Sequence, residues 1–87
     1  MKADKATVSR LLKTAKGQVD GVLKMVDEDR YCVDIINQIA AAEAVLKKAR
    51  REVLKGHFKS CVKDAYETGE EDEKIDELID MFDKMQK

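Results

Sequence analysis

The chain has 87 residues, 44% hydrophobic and 40% charged, with no Pro, no Trp and a net charge of −1. A chain of this length forms one small domain, 1–87, with a modest core, and the absence of Pro, the few Gly and the high charge fit long, solvated helices far better than a loop-rich fold. No stretch is long and apolar enough for a membrane span, and residues 1–10 lack the apolar run of a secretory signal. The expected location is therefore the cytoplasm, where the two cysteines serve as thiols for metal or redox chemistry and not as a structural disulfide.

Hydrophobic spacing predicts an all-α chain of three helices. Val8, Leu12, Ala15, Val19, Val22 and Val26 recur at alternating steps of four and three, the seam of a helix packed lengthwise on another. That places the first helix at about 7–27, with Thr7 as N-cap and "DEDR" at 27–30 as the break. Cys32, Ile35, Ile39, Ala42, Leu46, Ala49 and Val53 repeat the rhythm in a second, long helix at about 31–66. The run "ETGEEDE" then supplies a turn and acidic residues suited to a helix N-terminus. Ile75, Leu78, Ile79, Phe82 and Met85 give one apolar face to a third helix at about 71–85.

Residues 1–63 hold 14 Lys/Arg against 8 Asp/Glu, whereas residues 64–87 hold 3 against 10. A basic body with an acidic tail is compatible with an anionic partner on one face, although solvated helix faces give the same composition.

Both cysteines and the only histidine lie in the second helix or at its start. Cys32 and His57 are 25 residues apart, about 37 Å along a continuous helix, so they cannot meet within it. His57 and Cys61 are four residues apart and share one helical face. Two such helices packed antiparallel set Cys32 of one chain against His57 and Cys61 of the other, giving two equivalent sites per dimer. The small residues "AAAEA" at 40–44, near the midpoint, allow close approach around a two-fold axis. Two thiolates and one imidazole form a soft, three-coordinate set that suits Cu(I), one per protomer, while a Zn site completed by a fourth ligand stays open. Taken singly, a buried Cys or a surface His is equally ordinary.

"KGQVDGVLKMV" and "YCVDIINQIAAAEAVLKKARREVLKGHFKSC" resemble the copper-sensitive operon repressor (CsoR) family, whose wider group includes nickel/cobalt, formaldehyde and persulfide sensors. The resemblance extends over about 11–78 and includes the Cys, His, Cys pattern of the Cu(I) sensors. It implies a three-helix protomer, an antiparallel four-helix-bundle dimer and a homotetramer built as a dimer of dimers. It also implies a transcriptional repressor that binds operator DNA in the apo form and releases it on Cu(I) binding. Cys32 matches the ligand from one protomer, and His57 and Cys61 the pair from the other. Tyr31 and Glu77 match the outer residues around the site, where a hydrogen bond to the free ring nitrogen of His57 would fix its orientation.

The resemblance breaks at one place: Leu11 stands where members commonly have Arg, and Arg10 is one step, about 100° of helix, away. The DNA-binding face is then expected from Arg10, Lys13 and Lys16 with Lys47, Lys48 and Arg51, where Lys47, Arg51 and Lys55 form a stripe flanked by Lys48. Such residues contact phosphates, and no helix-turn-helix is evident to read bases. A thiol or persulfide switch linking Cys32 and Cys61 is the alternative of the same fold, against which His57 counts. Lys2 in place of Pro disfavours a formaldehyde sensor, and a single His disfavours nickel. An enzyme with Cys61 as nucleophile and His57 as base would need a pocket and a third, orienting group that three short helices have little room for. A helical interaction module without a ligand is the remaining alternative.

Overall fold

The structure, a computed structural model, describes residues 1–68 and 71–85, and the side chains of residues 61, 62, 64–68, 71, 72, 74, 75 and 83 lie outside that description. Three helices follow in order: α1 Lys5–Asp27, α2 Cys32–Thr68 and α3 Glu71–Met85. Among the described residues there is no strand, and no helix is long and apolar enough to cross a membrane. Gly69, in the expected turn before α3, lies outside the described residues.

α1 starts two residues before the expected position because its cap is Asp4, not Thr7. Asp4 has extended backbone, and its carboxylate accepts the Thr7 backbone N–H at 3.3 Å and the Thr7 hydroxyl. A carboxylate there satisfies an orphan N–H and carries charge that suits the positive end of the helix dipole, which a Thr cap cannot supply. The Thr7 hydroxyl and then its backbone N–H hold the Asp4 carboxyl below its ordinary value of 3.8. At the other end, Arg30 N–H bonds to Met25 C=O at 3.0 Å and Asp29 N–H to Val26 C=O at 3.1 Å. Those two bonds with Asp29 at φ 52° make a Schellman termination, in which Asp occupies the left-handed position usually held by Gly. The Tyr31 carbonyl then accepts the Ile35 N–H at 3.1 Å, and α2 continues without a break through Gly56.

The three-four seams resolve into two lines per helix. Val8 and Ala15 on α1, seven residues apart, and Ala42 and Ala49 on α2, likewise seven apart, are buried. Gly56 extends the α2 line by another seven residues and meets the N-terminal arm there: a Cβ at Gly56 would lie 2.4 Å from the Ala3 Cα. Small residues along that line let α1 and the arm lie close on α2. Ala42, expected to ease contact between two chains, is thus buried within one. The alternate line, Leu12, Val19 and Val26 on α1 with Ile39, Leu46 and Val53 on α2, stays 37% to 51% exposed.

α1 and α3 each pack on α2, and the protomer measures 57 × 27 × 12 Å with a radius of gyration of 17.4 Å. A compact domain of this length has a radius of about 12 Å. The protomer is a single layer of helices, whereas a stable core needs two.

Candidate metal centre

α3 doubles back along the C-terminal half of α2 and brings Glu77 to His57. Glu77 Oε1 lies 2.9 Å from His57 Nε2, a contact between a ring nitrogen and a carboxylate whose charge depends on the ring's protonation. The contact with the Glu77 carboxylate fixes the ring in orientation. Cys61 follows one turn later on α2, and its side chain lies outside the described residues.

Cys32 is the first residue of α2, a free and exposed thiol, and Tyr31 beside it is 68% exposed. Because α2 is one uninterrupted helix, about 37 Å of rise separates Cys32 from His57. One chain therefore joins His57 to Glu77 and holds Tyr31 and Cys32 at the far end. Among the described residues no three His, Cys, Asp or Glu side chains converge as a metal cluster. The residues expected to hold a metal therefore fall at two separate places on α2, Cys32 at its start and His57 in its C-terminal half.

The basic residues separate onto different faces. Arg10 and Leu11 of α1 face Lys48, Arg51 and Lys55 of α2 across a groove of about 780 Å³, with Thr7 and Glu52 also on its walls. Lys48, Arg51 and Lys55 fall within roughly 60° of the helix circumference, and Lys47 lies about 100° from Lys48. Lys47, although only about 40° from Arg51, lines another surface with Glu43, Leu46 and Arg50. Lys13 shares a shallow surface of α1 with Arg10, and Lys16 is exposed further along the helix. Displacement by one position does not remove Arg10 from the α1–α2 groove. Lys55, at the edge of the expected stripe, completes it.

A family model described as metal-sensitive transcriptional repressor matches residues 4–84. The copper-sensing transcriptional repressor CsoR of Bacillus subtilis is 42% identical over 84 residues, 97% of this chain and 83% of that protein. CsoR of Mycobacterium ulcerans is 41% identical over 76 residues, 87% of this chain and 64% of that longer protein. The crystal structure of the copper-sensing repressor CsoR with Cu(I) from Geobacillus thermodenitrificans is similar at a TM-score of 0.85 and 34% identity, covering 100% of this chain and 94% of that one. The nickel-responsive transcriptional regulator InrS is similar at the same TM-score with 26% identity, covering 97% and 94%. A copper-sensing repressor and a nickel-responsive regulator thus share this backbone shape.

Proposed function

Because the chain belongs to the CsoR family of metal-sensitive transcriptional repressors, we propose that it is a cytoplasmic Cu(I)-responsive repressor that holds operator DNA when metal-free and releases it on binding copper. The family is one of repressors, not enzymes. The observation that carries the reading is the 2.9 Å contact between His57 and Glu77, which fixes the one imidazole of the chain in orientation one turn before Cys61. The donors fit the ion: two thiolates and an imidazole are soft, and the single His in the chain supplies too little nitrogen for a harder, higher-coordinate nickel site.

His57 Nδ1 and Cys61 of one protomer and Cys32 of a second would hold the metal, one Cu(I) per protomer. Continuity of α2 supports the sharing, since an antiparallel dimer sets those two places together. The exposed apolar line through Leu12, Val19, Ile39 and Leu46 supports a four-helix bundle, and a dimer of dimers follows by likeness to the family. When bound, Cu(I) supplies a soft centre that draws donors of two chains to one point. Tyr31 of the second protomer and Glu77 would stand around those donors. Glu77, by holding His57, ties the metal end of α2 to α3.

Arg10, Lys13, Lys16, Lys48 and Arg51, with Lys55, would neutralise DNA phosphates, and Lys47 would add charge from the adjoining face. Lys55 is two residues before His57 on the same helix. A shift of α2 at His57 would therefore move Arg51 and Lys55 relative to Arg10 and spoil the phosphate match. The test is an anaerobic Cu(I) titration with operator DNA binding followed by fluorescence anisotropy. Copper should weaken DNA binding, and DNA should weaken copper binding by the same factor. Cys61→Ala should bind DNA and fail to respond to copper. X-ray absorption should give two sulfurs and one nitrogen, and an oxygen-rich or two-coordinate site would reject the donor set.

A further inference from the structure

Along α2 and α3 runs a shallow, open groove of about 510 Å³ lined by Val53, Leu54 and His57 of α2 and Met81 and Met85 of α3. Met81 and Met85 are one turn apart, so both thioethers stand on one side of α3, and both are half-buried. Sequence pattern alone reads Met85 as part of an apolar face and gives Met81 no role. Two residues with soft, uncharged sulfurs thus line the same groove as the imidazole that Glu77 contacts. A thioether binds a soft metal without giving up a proton, whereas each cysteine must lose one.

We propose that Met81 and Met85 form a second soft-metal site beside His57, which captures Cu(I) and hands it to His57 and the cysteines. The proposal rests on the copper-sensing reading above and names the entry route to that site. Arg50 and Lys84 also line the groove. Their long stems let the charged heads turn outward, and the remaining repulsion toward a cation keeps the site weak. Weak binding suits transfer, because the thioethers must release the metal. The handover is a ligand exchange: bonds to the two thioether sulfurs break as bonds to His57 Nδ1 and the thiolates form. The thiol protons go to water, and copper stays Cu(I).

The test uses the full chain carrying Cys32→Ser and Cys61→Ser, labelled with methyl-¹³C methionine and titrated with Ag(I), a soft monovalent ion that is not readily oxidised. The methyl signals of Met81 and Met85 should shift together and saturate at a single equivalent, while those of Met1 and Met25 stay in place. Adding Met81→Leu and Met85→Leu, which conserve volume, should abolish that binding. In the chain with both cysteines, the same two Leu substitutions should slow the capture of Cu(I) from a competing chelator. Unmoved Met81 and Met85 signals, four signals that move alike, or capture at the unsubstituted rate would each overturn the proposal. If the unsubstituted chain fails to bind Cu(I) tightly while Met81 and Met85 still respond to Ag(I), the sensing reading fails and the methionine site stands.

Discussion

Two carboxylates in this chain, Asp4 toward Thr7 and Glu77 toward His57, act through hydrogen bonds, and each gives a separable test. Asp4 holds the start of α1, and its bonds to Thr7 lower its pKa in the folded chain. A lowered folded value means that the contribution is present above the ordinary value of 3.8 and is lost as pH falls through the lower, folded one. Asp4→Asn keeps a capping oxygen but carries no charge. The melting temperature of the native chain should therefore exceed that of Asp4→Asn near neutral pH, and the gap should close on acidification below the carboxylate range. A gap that does not change with pH would remove the charge from the cap. Glu77 acts on His57 instead. Glu77→Ala should still bind Cu(I) but release DNA less completely, with the coupling reduced by about 0.5–2 kcal/mol. DNA anisotropy at saturating copper measures this, and full release would exclude Glu77 from the coupling.

Each helix was legible in the sequence from its three-four rhythm, but the use of that rhythm was not. Val8 and Ala15 share their spacing with Leu12 and Val19, and spacing alone does not say which line meets the same chain and which stays open. Asp4 was missed as a cap because Thr7 is also a capping residue and lies closer to the first apolar position. The Glu77 contact with His57 spans twenty residues and two helices, so only family likeness pointed to it. Lys47 and Lys48 are neighbours in sequence, and the packing of α1 on α2 decides that Lys48 faces Arg10. A Gly inside a helix costs propensity, and the missing Cβ of Gly56 is where Ala3 rests. Gly56→Ala would force the arm off α2, while helix propensity gains about 1 kcal/mol. The variant should melt no lower than the native chain, yet show faster amide exchange in residues 2–6. Unchanged protection there would mean that the arm is not held at Gly56.

At the scale of the whole molecule, a layer 12 Å thick leaves large apolar side chains without cover. Burying a fully exposed side chain of this kind is worth about 1.5–3 kcal/mol; the six in the line from Leu12 to Val53 are 37% to 51% exposed, so each has roughly half of that left to gain from a second layer. Leu46→Glu puts a charge in the middle of that line and should yield monomers of reduced helicity in sedimentation and circular dichroism. An intact oligomer would show that the line is not the interface. The central claim is that each metal site takes donors from two chains, since α2 holds Cys32 about 37 Å from His57. The most direct measurement is Cu(I) binding by purified heterodimers of Cys32→Ala and Cys61→Ala chains. Each homodimer lacks one ligand in both sites, but the heterodimer combines Cys32 of one chain with His57 and Cys61 of the other at one end. The account predicts one restored Cu(I) site per heterodimer; binding no better than that of either parent would contradict it.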